Sequence, residues 1–260
     1  MSSYIFESNS QEREYQRLRM VETANDPATI PLLERMGIQP GWACLELGPG
    51  AGSILQWMGA QVGTEGIVLG VDKTIRFLQK FSIPPFVLRE GNFLDVAIND
   101  KFNLAHTRYV LIHNQQDVEM LTKIHDLLKP GGMVLIEEPD FTSAKLYGDN
   151  SDFPHTRVNS AICHMFINLG LNPAYGLSLP QKLQRCGFQI IETQSNIHLN
   201  EGNSPMANVM AESAVALQKA YCGTGECSEQ DIQAYIRNAH TPGFWTIYHS
   251  TVSVIAKRPS

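Results

Sequence analysis

The sequence predicts an α/β fold, a parallel sheet with helices on both faces. Three observations carry that prediction. Short apolar runs alternate with helical stretches through the first half of the chain, the spacing expected when each pair of parallel strands needs a crossover helix. The first of those runs, Trp42-Ala43-Cys44-Leu45-Glu46-Leu47, enters glycines directly, as a buried strand feeding a tight turn does. Finally, 260 residues at 43% hydrophobic and 18% charged suffice for one large core and lie far from disordered compositions.

In chain order, Glu12 to Asn25 reads as a polar helix with Tyr15, Leu18 and Val21 near one face. Asp26-Pro27 should break it, because proline lacks a helical N–H and restricts the residue before it. Thr29 to Met36 resumes the pattern until Gly37 stops it. Residues 42–47 form the first strand, and Ile54 to Met58 the helix that follows the glycines. Gly66 to Val71 is the second strand, Thr74 to Phe81 the second helix, Phe86 to Arg89 the third strand and Leu104 to Val110 the fourth. Asp117 to Leu128 is amphipathic and runs into Lys129-Pro130-Gly131-Gly132, a sharp turn before a fifth strand, Met133 to Glu137.

The second half is less regular. Asp152 to Gly170 is a helix with Phe153-Pro154 at its start, and Leu179 to Cys186 another, capped by Gly187. Phe188 to Ser195 is a strand, Pro205 to Tyr221 and Ser228 to Ala239 are helical, and Trp245 to Lys257 alternates like a closing strand. No internal repeat or low-complexity linker interrupts the chain, so one continuous domain with inserted helices is expected.

Composition narrows the function. A net charge of −6 and a pI near 5.7 argue against a nucleic-acid partner, whose phosphates demand dense Lys and Arg. No stretch approaches the ~18 apolar residues of a membrane span, and Met1-Ser2-Ser3-Tyr4 lacks the pattern of a signal peptide. The five cysteines, Cys44, Cys163, Cys186, Cys222 and Cys227, are scattered without a CxxC pair, so neither a zinc site nor a disulfide framework is implied. A cytoplasmic monomer or homodimer is the simple expectation.

Chemistry concentrates at Gly48-Pro49-Gly50-Ala51-Gly52, where a strand meets a helix. Glycines there permit positive φ and close approach of a ligand to the backbone, although an ordinary tight turn has the same appearance. Asp72 ends the second strand, where a carboxylate can accept both hydroxyls of an adenosine ribose. Glu46 lies inside the first strand, an awkward place for a charge without a role. A dinucleotide site wants G-x-G-x-x-G, yet Ser53 stands at the third position. An acid at Glu46 would also repel a pyrophosphate, whereas it would attract the ammonium of a methionine moiety.

Glu46-Leu47-Gly48-Pro49-Gly50-Ala51-Gly52 resembles the first motif of class I S-adenosylmethionine-dependent methyltransferases, and Val71-Asp72 resembles their second-strand acid. Gly91-Asn92-Phe93 resembles the segment flanking the adenine, where the family often carries Asp in place of Asn92. Leu127-Leu128-Lys129-Pro130-Gly131-Gly132 resembles a late motif of the same family, so the similarity spans roughly residues 42 to 138. Glu14-Tyr15-Gln16-Arg17-Leu18-Arg19 resembles the lid helix of small-molecule members, of the ubiquinone-biosynthesis and secondary-metabolite type.

The resemblance implies a Rossmann-like, seven-stranded doubly wound sheet with its last strand antiparallel, under a helical cap from N-terminal and inserted segments. Residues 1–40 would form the lid, 41–140 the donor-binding core, 141–178 and 201–240 the cap inserts, and 179–200 with 241–260 the final strands and helix. It implies S-adenosyl-L-methionine as cofactor, leaving S-adenosyl-L-homocysteine. Its contacts would be Tyr15, Arg19, Glu46, Gly48, Pro49, Gly50, Gly52, Asp72, Lys73, Asn92, Phe93, Thr107 and Arg108. The expected acceptor is an oxygen or nitrogen of a small organic molecule. A protein or RNA substrate, a donor-binding homologue of different chemistry, and a nicotinamide-dependent oxidoreductase are the rivals.

Methyl transfer from a sulfonium asks the protein mainly to align the nucleophile and exclude water. His113, just past the fourth strand, is the candidate base, since an imidazole of ordinary pKa about 6.5 suits that work; capping or packing is its alternative role. Glu137, Glu138 and Asp140 either orient a polar acceptor or are ordinary solvated loop acids. His155 and His164, nine residues apart on one helix, are too far apart for one metal, and no metal site is expected.

Overall fold

The computed structural model describes residues 11–81, 83–146 and 153–260. Helix α1 (Gln11–Arg35) leads into β1 (Ala43–Leu47), α2 (Ser53–Val62) and β2 (Ile67–Asp72), followed by β3 (Phe86–Glu90) and β4 (Phe102–Arg108). Helix α3 (Asp117–Leu127) leads to β5 (Leu128–Asp140), β6 (Lys145–Leu146), α4 (Pro154–Asn168) and α5 (Tyr175–Arg185). The chain closes through β7 (Gln189–Ile197), β8 (Asn200–Glu201), α6 (Pro205–Cys222), α7 (Glu229–Ala239), β9 (Trp245–Ile247) and β10 (Ser250–Lys257).

Seven strands form the main sheet in the order β3-β2-β1-β4-β5-β10-β7. The pairs from β3 through β5 are parallel, and β10 runs antiparallel to both of its neighbours. The seven-stranded sheet with its last strand antiparallel is therefore as the family resemblance implies. Chain order reverses between β1 and β4, and such a switch point opens a crevice at the carboxyl ends of the strands.

Alternation along the strands divides the core in two. Cys44, Leu104, Leu135 and Ile255 pack with Leu32 and Leu33 of α1 and Leu55 and Met58 of α2. Leu45, Leu47, Val134 and Val254 face the other way, with Leu121 and Ile124 of α3 and Leu179 and Leu183 of α5. Helix α6 packs on α1 and α7, and α4 packs on both α6 and α7. Among the described residues no helix is long and apolar enough to cross a membrane.

Five segments depart from the sequence expectation. Helix α1 runs unbroken through Pro27 and Pro31, so Asp26-Pro27 is no break. Asp26 and Thr29 are tied to the sheet by Arg108 and Glu137, and Leu32 and Leu33 are buried. That anchoring outweighs an interior proline cost of about 3 kcal/mol. Residues 74–81 form only a turn, Gln79–Phe81, because Leu78 and Phe81 close on Gly52 rather than spreading along the sheet.

The predicted turn at residues 129–132 lies within β5, where Gly131 takes φ 75 and the register against β4 shifts. Past it, β5 continues to Asp140, so Glu137, Glu138 and Asp140 are strand residues and all are buried. They are not solvated loop acids. The predicted closing strand 245–257 divides: β9 joins β6 and β8 in a separate three-stranded sheet, and β10 alone enters the main one. Helix α5 begins at Tyr175, earlier than periodicity indicated. Met1-Ser2-Ser3-Tyr4 and the expected helix start at Asp152 lie outside the described residues.

Candidate functional site

The turn after β1 takes left-handed backbone at Gly48 (φ 69), Gly50 (φ 61) and Gly52 (φ 94), geometry that side-chain-bearing residues adopt only at a cost. A Cβ on Gly48 would overlap Val110, and one on Gly52 would overlap Phe81 and Leu78. Gly48 donates its N–H to Val71 O at 2.8 Å, which fastens the turn to β2. Asp72, at the end of β2, accepts from Gly50 N–H at 3.4 Å and Thr74 N–H at 3.2 Å. Burial raises its pKa, and these backbone donors pull the other way. An acid held by N–H groups beside a glycine turn keeps lone pairs for hydroxyl donors. Lys73, the next residue, is exposed.

The N-terminal half of α1 lies across this turn. Leu18 stands 3.5 Å from where a Cβ on Gly50 would be. Glu22 accepts the Ser53 N–H at 2.9 Å, capping α2 from another element. Arg19 pairs with that same Glu22, and Tyr15 tilts against Phe77 with centroids 5.4 Å apart. Both predicted lid residues therefore sit on the turn side of α1.

Glu46 has a partner that sequence reasoning missed. Register places it opposite His106 on β4, whose Nδ1 lies 2.9 and 3.1 Å from the two Glu46 oxygens. His106 Nε2 lies 3.2 Å from Glu137 Oε2. Thr29 and Ser253 donate to Glu137 at 2.6 and 2.9 Å. Arg108 donates to Thr29 at 2.7 Å and to Asp26 at 2.8 Å. Burial alone would lower the His106 pKa, but Glu46 and Glu137 overcome it and hold the imidazole up at about 9. Glu137 is held below its ordinary range, against its burial, by His106 and Arg108. The structure gives Glu46 to an imidazolium inside the protein, where the sequence had offered it to a ligand ammonium.

The segment after β4 is equally built. Tyr109 takes φ 58, uncommon for a bulky side chain. Its N–H bonds Glu137 O at 2.9 Å, and its hydroxyl reaches Asn25 at 2.9 Å, His249 Nε2 at 3.2 Å and Thr251. Glu138 accepts the N–H groups of Val110, Leu111 and Ile112 at 3.0, 2.7 and 3.1 Å. Burial pushes its carboxyl up to about 8 against their pull. Predicted base His113 ends this turn, stacked on Phe166 with centroids 5.9 Å apart. Burial, with Arg17 and Lys73 nearby, lowers its pKa to about 4.

Of the remaining candidates, Thr107 is buried, and among the described residues its hydroxyl finds no hydrogen-bond partner. Asn92 accepts the Leu94 N–H at 3.2 Å, and buried Phe93 lies under Lys123. Asp140 accepts the Thr142 N–H at 2.9 Å. His155 bonds Thr246 at 2.9 Å and His164 pairs with Glu226 on the surface. No group of three or more His, Cys, Asp or Glu among the described residues is placed to hold a metal ion. Turn glycines, Asp72, Thr107, Tyr109 and His113 thus gather at one edge of the sheet, whereas Glu46 is spent on His106. A histidine and a glutamate each inside adjacent apolar strands was the available signal for that pair.

Comparison with known proteins completes the description of this edge. The family described as Methyltransferase domain matches residues 14–193. An uncharacterized 37.1 kDa protein in a transposon of Streptomyces fradiae is 25% identical over 166 residues, covering 61% of this chain and 47% of that protein. The 2-phytyl-1,4-naphtoquinone methyltransferase of a Nostoc strain is 27% identical over 188 residues, covering 67% of this chain and 80% of that one. The solved Haemonchus contortus phosphoethanolamine N-methyltransferase 2, in complex with phosphomonomethylethanolamine and S-adenosylhomocysteine, gives a TM-score of 0.53 at 17% identity. That similarity covers 89% of this chain and 52% of that one, and establishes likeness of fold. The chain spans about half the length of the first curated relatives, at 47% and 52%.

Proposed function

The chain belongs to the methyltransferase-domain family, and on that premise we propose that it is an S-adenosylmethionine-dependent enzyme. It methylates an oxygen or nitrogen of a small organic molecule. The observation that carries the proposal is the contact between Asp72 and Gly50 N–H at 3.4 Å. It joins a glycine turn of positive φ to a half-buried acid at the neighbouring strand end. This is a cradle for an adenosine: Gly48, Pro49, Gly50 and Gly52 let the donor approach the backbone, and Asp72 accepts its ribose hydroxyls. Lys73, Asn92 and Phe93 border the adenine side, Thr107 and Arg108 the methionine end, and Tyr15 and Arg19 cover from the lid.

When bound, the donor supplies an electrophilic methyl group on sulfur, with S-adenosylhomocysteine as product. The chain's own residues align and enclose. Helix α1 covers the turn, and α4, α6 and α7 extend that cover, excluding water from the reacting atoms. Glu46 acts through His106, keeping the end of β1 and β4 in register beneath the site. Burial, with Arg17 and Lys73 nearby, keeps His113 neutral at physiological pH. The naphthoquinone named for the Nostoc relative supports a small acceptor, and the net charge of −6 speaks against nucleic acid.

Titration calorimetry with S-adenosylmethionine, S-adenosylhomocysteine and a nicotinamide dinucleotide tests this. The sulfur compounds bind and the dinucleotide does not. Asp72→Ala weakens them by roughly 1.5–3 kcal/mol, the worth of a charge-assisted hydrogen bond. Unchanged affinity in that variant, or preference for the dinucleotide, defeats the assignment. Labelled-donor transfer to a library of small acceptors then identifies the other half of the reaction.

A further inference from the structure

The acceptor side of the edge contains a cavity that the donor assignment does not use. About 260 Å³ in volume, it opens between α1, the β7–β8 connection, the start of α6 and the start of β10. Thr23, Asn25, Thr251 and His249 give it a polar side, and Leu199 and Met206 an apolar one. Among the described residues its wall contains no Asp, Glu, Lys or Arg. Its titratable members are exposed His198 and buried His249. Since burial keeps His249 neutral, a charged ligand would have no buried counter-ion, so the occupant is neutral.

His249 is the unusual member. It is 8% exposed, and its Nδ1 is buried with no hydrogen-bond partner among the described residues. Its other nitrogen, Nε2, is placed by the Tyr109 hydroxyl at 3.2 Å. Ring contacts with Tyr109 and Phe141, centroids 5.8 and 5.3 Å away, hold the plane. A buried nitrogen left unpaired costs free energy that a ligand hydrogen bond recovers. Three wall residues, Asn25, His249 and Thr251, share the Tyr109 hydroxyl. The next residue, Val110, is the one that crowds Gly48. Cavity and glycine turn are thus separated by two consecutive residues at the end of β4. His249 also directly precedes Ser250, which pairs with Asp140 at the carboxyl end of β5.

We propose that this cavity is the acceptor site, that it takes a neutral hydroxyl-bearing small molecule, and that His249 Nδ1 accepts the hydroxyl proton. The proposal rests on the donor reading above. Nδ1 first receives a hydrogen bond from the acceptor O–H. On methylation the O–C bond forms as the donor's C–S bond breaks, that electron pair staying on sulfur. The hydroxyl proton passes to Nδ1, leaving a neutral methyl ether, a neutral thioether and an imidazolium. Burial lowers the free His249 pKa to about 4, so the ring waits as a neutral acceptor, with His198 and Asp140 the titratable neighbours that act on it.

The test uses the whole chain with S-adenosylhomocysteine present. A panel of monocyclic phenols and short alcohols, each beside its own methyl ether, is titrated by ligand-observed NMR into wild type, His249→Phe, His249→Gln and Met206→Trp. Hydroxyl compounds bind wild type in preference to their ethers by about three- to tenfold, the worth of one hydrogen bond. His249→Phe abolishes the preference while keeping a ring in place, His249→Gln restores part of it, and Met206→Trp blocks both compounds by filling the cavity. An unchanged preference in His249→Phe, unhindered binding in Met206→Trp, or no panel member binding wild type overturns the proposal. S-adenosylhomocysteine affinity, measured on the same samples, stays the same in every variant if the two sites are as described. Its absence in wild type defeats the donor reading instead, whatever the panel does.

Discussion

His106 Nδ1 lies 2.9 Å from Glu46 Oε2 across the β1–β4 pair, both side chains being almost wholly buried. Through Nε2 the same ring reaches Glu137 on β5 at 3.2 Å. One imidazolium therefore links three adjacent parallel strands at the level where the donor turn begins. Removing it would strand two buried carboxylates, the costly half of breaking a buried ion pair.

This link gives stability a defined pH dependence. The folded His106 pKa of about 9 exceeds its ordinary 6.5, so its contribution is fully present below pH 6.5 and is lost as pH rises through 9. His113, His155 and His249 are each lowered to about 4. Their contribution is present above pH 6.5 and is lost as pH falls toward 4. Glu138, raised by burial from 4.5 to about 8, loses its contribution, as His106 does, when pH rises through 8. Unfolding by urea across pH should therefore show an alkaline fall carried by both groups, about 3 kcal/mol of it from His106. His106→Gln should be less stable at neutral pH and show a shallower alkaline limb; an unaltered limb would place the titration elsewhere.

Glu138 offers a sharper structural test. Its two oxygens serve three consecutive N–H groups, those of Val110, Leu111 and Ile112. Glu138→Gln halves the acceptors and puts an amide NH2 against backbone donors, costing about 1–3 kcal/mol for an N–H left unmet. Equilibrium unfolding measures the loss. Crystal or NMR data should show the 110–113 turn displaced; identical stability would mean the carboxylate is dispensable.

Among the contacts that hold the lid is a long-range cap from Glu22. Glu22→Ala removes the acceptor of Ser53 N–H, a cap worth about 1 kcal/mol. Hydrogen exchange in residues 14–25 of α1 should then quicken about fivefold, while the strands keep their protection. Equal quickening throughout the chain would show that α1 and the sheet open together.

His113 makes a kinetic prediction. His113→Ala lowers the transfer rate and leaves donor affinity intact only if this ring, and not His249, receives the hydroxyl proton. Burial lowers both pKa values to about 4, so the substitution and not the acid limb separates the two. No effect of the substitution at any pH assigns His113 to packing on Phe166.

Periodicity and punctuation alone were enough for the alternating strands, the glycine turn and Asp72 at the end of its strand. Each of these is a local property: apolar runs need burial, and glycine is required wherever φ turns positive. The antiparallel last strand came from the family resemblance. Tertiary structure decided the matters that depend on distant residues. It carried α1 through Pro27, because Arg108 and Glu137 hold Asp26 and Thr29. It also gave Glu46 to His106, a residue 60 positions away that only strand register brings alongside. The pairing of Tyr109 with His249, 140 positions apart, likewise arises from β10 entering the sheet beside β5. A charge buried in a strand announces in sequence that a partner must exist; which partner it is depends on the packing of the whole sheet.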